Sequence, residues 1–196
     1  MFKQGLEDKK NFIAEIAAKV FGKKGYMSSS LQEVALEANM SKAGLYHYFK
    51  SKEELLAYIL LRNTDFGMQV LRARIEANSE KNLSPEESFR SLIHTYASQV
   101  NQDKDLRSIV LRERHQLSTE HKKELFTREQ EIFRLLRDEL KKIPDLENDL
   151  DLNVITFLFI SMSHWLGYWF REGEKLDMPG IIDQNILAIF YGILEK

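Results

Sequence analysis

The sequence predicts an all-α protein of about nine helices, and three observations carry that prediction. Apolar residues recur at three- and four-residue spacing along nearly the whole chain, the mark of helices with one buried face. No run alternates apolar and polar residues between hairpin turns, so no sheet is expected. All three prolines stand where a helix should begin or end: Pro85 within Ser84-Pro85-Glu86-Glu87, Pro144 after a charged segment, and Pro179 at the head of the last apolar one. The chain has 196 residues, 43% hydrophobic and 30% charged, which suits one sizeable core or a small domain joined to a larger one. It has no cysteine, which excludes disulfides, zinc fingers and thiol chemistry and points to a reducing cytoplasm. Met1 to Lys10 is polar and charged, without the apolar core of a secretory signal.

The helices follow in order. The first is expected from about Asp8 to Lys24, with Phe12, Ile13, Ile16, Ala17, Val20 and Phe21 on one face, closed by Gly25 in a left-handed cap. The second should run from Leu31 to Ala38 and the third from Lys42 to Phe49. The fourth, about Lys52 to Ala77, links a domain of residues 1–52 to one of 53–196. A loop, Asn78 to Leu83, precedes a fifth helix from Pro85 to Val100. A short sixth covers about Asp105 to Arg114, and a long charged seventh runs from Thr119 to Lys142. The eighth is expected from Asp151 to Glu172 and the ninth from Pro179 to Leu194.

Ser28 to Leu56 carries the functional signal. Ser30 can cap the second helix with its hydroxyl, and Leu31, Val34, Ala35 and Ala38 form the apolar stripe. Asn39 can turn the chain at positive φ. Met40 plugs the turn, Ser41 caps the third helix, and Leu45, Tyr48 and Phe49 restore the stripe. Two short helices joined by so short a turn make a helix-turn-helix. Lys42, Ala43, Tyr46 and His47 project outward. Small residues at Ala43 and Gly44 permit close approach to base edges in a major groove, and Lys42 can reach guanine acceptors or a phosphate. Tyr46 and His47 offer donors, while Lys50 and Lys52 flank the exit. Charge is consistent with this: residues 1–52 hold nine lysines and five acids, a surplus of +4, whereas the remainder holds nineteen bases and twenty-five acids, or −6. A basic head suits a polyanion, although a solvated lysine-rich face accounts for charge alone equally well.

The run Ser30-Leu31-Gln32-Glu33-Val34-Ala35, followed by Ala38-Asn39-Met40-Ser41-Lys42-Ala43-Gly44-Leu45-Tyr46-His47-Tyr48-Phe49-Lys50-Ser51-Lys52-Glu53-Glu54-Leu55-Leu56, resembles the signature of the tetracycline-repressor (TetR) family. Phe21, Gly25 and Tyr26 also sit where that family keeps an aromatic, a glycine and an aromatic. The resemblance covers about the first 60 residues. It implies a dimeric transcriptional regulator that binds a palindromic operator in double-stranded DNA, represses, and is released by a small molecule. By position, Ser30 and Gln32 would touch phosphates from the second helix. Lys42, Ala43 and Gly44 would face bases. Tyr46, Tyr48 and Lys52 would contact phosphates, with His47 alongside. Two departures stand out: Asn39 replaces the turn glycine, and Gly44 replaces a common hydroxyl residue.

The body offers a dimer face and a sensor. Leu152 to Phe170 is apolar nearly all round, yet Asn153, Thr156, Ser161, Ser163 and His164 interrupt it, so burial on two sides explains it better than a membrane span. The resemblance implies a homodimer through the last two helices, about 151–172 and 179–194. It also implies an effector pocket, for which Phe66, Met68, Leu92, Tyr96, Ile109, His115, Phe133, Met162, Trp165 and Trp169 are candidates, though large apolar side chains fill interiors by default. The expected effector is largely apolar or aromatic, even acyl-like, since Glu113 to Leu140 and Trp165 to Gly173 are similar to lipid-metabolism regulators of the family.

Neither enzyme nor metalloprotein chemistry is expected, and no cofactor. His115 and His121 are six apart and do not share a helix face. Glu120, Glu124, Glu129 and Glu131 interleave with lysine and arginine as a solvated surface does. A helical module whose helix-turn-helix binds protein is the alternative function. The basic head on an acidic body argues against it.

Overall fold

The computed structural model describes residues 2–144, 146, 151–170 and 177–193, and the elements there are helical. They are α1 (Phe2–Lys24), α2 (Leu31–Glu37), α3 (Lys42–Tyr48), α4 (Lys52–Glu80), α5 (Pro85–Asn101), α6 (Lys104–Arg112), a 3₁₀ turn (Arg114–Gln116), α7 (Thr119–Leu140), α8 (Leu152–Trp169) and α9 (Met178–Ile193). The expected ends of the last two at Glu172 and Leu194, and Gly173 with them, lie outside the described residues. Gly25 takes the left-handed cap at φ 85°, as its position after α1 predicts. Helix α1 starts earlier than its apolar stripe suggests. The Tyr58 hydroxyl sits 2.6 Å from Glu7 Oε1 and 2.7 Å from Asn11 Oδ1, tying that stretch of α1 to α4. Burial and the Glu7 carboxylate both push the Tyr58 phenol upward, so it stays a donor.

The chain folds as two compact units. The first comprises residues 1–64 with 103–126, and the second 65–102 with 127–196. In the first, Ile13, Ala17, Phe21, Val34, Leu45, Phe49, Leu55 and Leu56 form the core, and Ile109, Leu117 and Leu125 join it from the later segment. Side chains of that size stabilise by about 1.5–3 kcal/mol each when fully buried. Helix α6 approaches α1 closely at Gly22, where an added Cβ would lie 2.7 Å from the Asp105 Cα. Only glycine allows that approach, so Gly22 docks 103–126 onto the N-terminal helices.

In the second unit, Phe89, Phe159 and Phe190 bring α5, α8 and α9 together. Phe89 lies edge-on to both partners, at 5.3 and 6.0 Å between ring centroids. Leu71 of α4 and Ile132, Leu136 and Leu140 of α7 complete this core. Two polar rungs join α5 to α8: Tyr96 Oη lies 3.0 Å from His164 Nε2, and Asn101 Nδ2 donates to the Ser163 carbonyl at 2.8 Å. Burial lowers the basicity of His164, which therefore sits neutral at physiological pH. Among the described residues no helix is long and apolar enough to cross a membrane.

Candidate nucleic-acid interface and cavity

The helix-turn-helix is built from caps. Ser30, in extended backbone at φ −134°, accepts the Glu33 N–H at 3.2 Å, and the Glu33 carboxylate accepts the Ser30 N–H at 2.8 Å. This reciprocal box fixes the start of α2. Lys24 and Ser30 hold the Glu33 carboxyl below its ordinary value. Asn39 takes φ 51°, the left-handed conformation that its place in the turn predicts, and the Met40 N–H reaches back to the Ala35 carbonyl at 2.8 Å. Ser41 caps α3 by accepting the Gly44 N–H at 3.0 Å.

Helix α3 then divides by face. Leu45 is fully buried, and Phe49 just beyond the helix is buried with it. Lys42, Ala43, Tyr46 and His47 are exposed, while Gly44 and Tyr48 are half-buried. Lys42 Nζ stands 5.9 Å from the Tyr46 ring centroid, and His47 lies edge-on to Tyr48 at 5.2 Å. Gln32 is exposed on α2. The predicted DNA-facing set is thus brought to one region, with two qualifications. Ser30 spends its hydroxyl on the cap. Lys52 points inward: its ammonium donates to the carbonyls of Tyr26 at 2.7 Å and Ser29 at 2.8 Å, and lies 4.2 Å from the Tyr26 ring centroid. Burial lowers its basicity. Lys52 clasps the turn after α1 with two of its three donors. Nothing in the spacing of Lys52 signals this role.

A Ser-His-Glu cluster in the same unit has the residue types of a nucleophilic triad. His121 Nδ1 lies 2.8 Å from Glu53 Oε1 and 3.1 Å from Ser118 Oγ, and the Ser118 N–H donates to the same Glu53 oxygen at 2.8 Å. Both partners meet one ring nitrogen. A proton relay needs the hydroxyl on one nitrogen and the carboxylate on the other, so this is a latch between the starts of α4 and α7. Burial pushes the Glu53 carboxyl up, but the Ser118 N–H and His121 outweigh it and hold it below its ordinary value. Among the described residues no group of three or more His, Asp or Glu side chains could hold a metal ion.

The predicted effector residues scatter. Ile109 is buried in the core of the first unit, and His115 is exposed on the 3₁₀ turn of the same unit. Leu92 and Tyr96 are packed into the core of the second unit, with Met68 and Met162 half-buried against it. Phe133 is half-buried. Trp165 and Trp169 are 58% and 75% exposed. They continue a stripe along α8 with Val154, Phe157, Leu158 and Tyr168, all exposed. Of the predicted set, Phe66 lines an open cavity of about 580 Å³ in the second unit. Its walls come from α4 (Phe66, Val70, Arg74), from α5 between His94 and Gln102, and from the start of α9 at Met178 and Pro179. A search for aromatic and apolar residues misses most of these. Thr95, Ser98 and Gln99 of α5 and its C-cap Gln102 form a polar stripe at helical spacing, opposite the buried Leu92, Ile93, Tyr96 and Ala97.

Comparison with known proteins agrees with this geometry. The family described as "Bacterial regulatory proteins, tetR family" matches residues 13–59, and "Tetracyclin repressor-like, C-terminal domain" matches residues 82–193. The chain is similar to the transcriptional repressor KstR2 of Mycobacterium tuberculosis, 23% identical over 94% of this chain and 92% of that one. It is 34% identical to the regulator YuxN of Bacillus subtilis over 55% of its own length, a match spanning 36% of that longer protein. Among solved structures, AibR in complex with isovaleryl coenzyme A and operator DNA superposes with TM-score 0.80 at 26% identity, over 92% of this chain and 97% of that one. PfmR from Thermus thermophilus gives TM-score 0.80 at 26% identity, over 94% and 99%.

Proposed function

The chain belongs to the tetR family of bacterial regulatory proteins, and from that premise we propose that it acts as a homodimeric repressor, reading a palindromic operator through α3 and released by a small effector bound in its body. One observation carries the reading: a doubly capped helix-turn-helix turns Leu45 and Phe49 into the core and leaves Lys42, Ala43, Tyr46 and His47 facing out. Residues 1–52 form the reading head. Lys42, Ala43 and Gly44 face bases; Gln32, Tyr46, His47, Tyr48 and the remaining donor of Lys52 meet the backbone, with Ser30 contributing by fixing the start of α2. The aromatic stripe on α8, together with α9, joins the two protomers, since exposed apolar faces of this kind mark protein interfaces. A dimer of this kind would set two α3 helices about 34–36 Å apart, one turn of duplex.

The effector would favour the dimer conformation that cannot span two grooves and so shift the population off DNA. Helix α4, whose residues belong to both units, is the lever. The isovaleryl coenzyme A in the AibR complex supports an acyl-bearing effector here as well. We assign the chain no reaction, because its Ser-His-Glu cluster is a latch, and we place it in the cytoplasm beside the DNA it reads.

Selection from random duplex DNA, followed by titration of the winner at several salt concentrations, tests this. Recovery of a palindrome bound by two protomers, with a steep salt slope, is the expected result. Enrichment of no sequence by the folded dimer would refute it.

A further inference from the structure

The cavity of the second unit has one feature at odds with a wholly apolar occupant. Among the described residues that line it, Arg74 is the one with a permanent charge. It makes no ion pair or hydrogen bond among the described residues. The other basic group on the wall, His94, is turned towards Asp183, whose Oδ1 lies 3.8 Å from its Nε2. Among the described residues Arg74 is therefore the unpaired charge on the cavity wall. Next to it along α4 lie Val70 and Phe66, and Met178 closes the α9 side, so an apolar strip adjoins the guanidinium. Across the space stand the Ser98 hydroxyl, which lies 3.4 Å from His94 Nδ1, and the Gln99 amide, whose Oε1 is 3.4 Å from where a Cβ on Gly67 would be.

We infer that this cavity binds an amphipathic anion: a carboxylate or phosphate head paired with Arg74 and hydrogen-bonded by Ser98 and Gln99, and a hydrocarbon body laid along Phe66, Val70 and Met178. The volume of about 580 Å³ is in the usual range for small-molecule sites. A planar guanidinium holds either head group with paired donors, which makes the contact both strong and directional. The same wall reaches the dimer helix: Asn101 lines the cavity and its Nδ2 donates to the Ser163 carbonyl of α8. An occupant that shifts α5 therefore strains a contact on the helix that carries the exposed aromatic stripe. This inference rests on the proposal that the body senses a small molecule, and it adds a charged anchor to an otherwise apolar effector.

Calorimetric titration of the full-length dimer with four eight-carbon probes, octanoate, octyl phosphate, octanol and octylamine, tests it, with wild type beside Arg74→Gln. Octanoate or octyl phosphate should bind at least about tenfold tighter than octanol or octylamine, and whichever anion wins identifies the head group. Arg74→Gln should erase that preference while leaving the melting temperature without ligand and the affinity for the selected duplex unchanged. Equal binding of octanol and both anions, no binding of either anion, or an anion preference that survives Arg74→Gln would overturn the inference. Repeating the titration with duplex present separates it from the reading it rests on. An anion that binds through Arg74 yet leaves the DNA in place upholds the site and removes its role in release.

Discussion

Helices α3 and α8 both leave a face uncovered in the single chain, and the two faces differ in kind. On α3 the exposed side chains are Lys42, Ala43, Tyr46 and His47, small or polar, on a helix whose start is capped by Ser41. On α8 they are Val154, Phe157, Leu158, Trp165, Tyr168 and Trp169, with no charge among them. Water tolerates the first face and opposes the second. A polar, preorganised face can wait for an optional partner such as DNA, whereas an aromatic one calls for permanent cover, here a second copy. The buried sides tell the same story from within: α3 buries Leu45, while α8 buries Ile155, Phe159, Thr156 and Ser163 and so is packed on one side before any partner arrives.

The largest effect should come from charging the α8 face. Phe157→Lys combined with Trp165→Lys should convert the dimer to monomer by sedimentation and, with it, remove operator binding, because interface aromatics of this type are worth about 2 kcal/mol or more each. On α3, Lys42→Ala should leave the dimer intact but relax sequence preference at one operator position by about 1–3 kcal/mol, measured by anisotropy on single-base variants. A uniform loss across all sequences would assign Lys42 to the backbone instead. Ser41→Ala should lower thermal stability by about 1 kcal/mol through loss of the α3 cap, and Asn39→Ala by about 1–2 kcal/mol through left-handed strain, while Asn39→Gly should cost less.

The smallest effect is pH-dependent. The Glu53 carboxyl sits below its ordinary value of 4.5, so the latch with Ser118 and His121 stabilises fully above that value and fades as pH falls through the lowered one. Glu53→Gln should remove that part of the acid limb from denaturant titrations carried from about pH 5 downwards. An unchanged acid limb would mean that the latch adds nothing to stability.

Much of the head was legible in the sequence because its information is local. Caps at Ser30 and Ser41, the left-handed Asn39 and the Gly25 cap are each decided within four residues. What was not legible is decided at a distance. Ile109, Leu117 and Leu125 are apolar in the sequence, but nothing near them says what they pack against. Gly22, eighty-three residues before Asp105, settles that they join the N-terminal helices and not the body. Lys52 reads as a surface cation until the carbonyls of Tyr26 and Ser29 fold over it. The surroundings of the aromatic residues are likewise decided at a distance: Trp165 and Trp169 face outward on α8, while Phe66 shares a cavity with polar residues of α5.

The most direct test of the division between a reading face and a joining face is a stoichiometric titration. The selected palindrome and a version with one half-site scrambled would each be titrated with the protein, and complex masses measured in solution. Two protomers on the intact site, with affinity falling by at least about thirtyfold on the scrambled one, is the predicted result. One protomer bound equally well to both would contradict it.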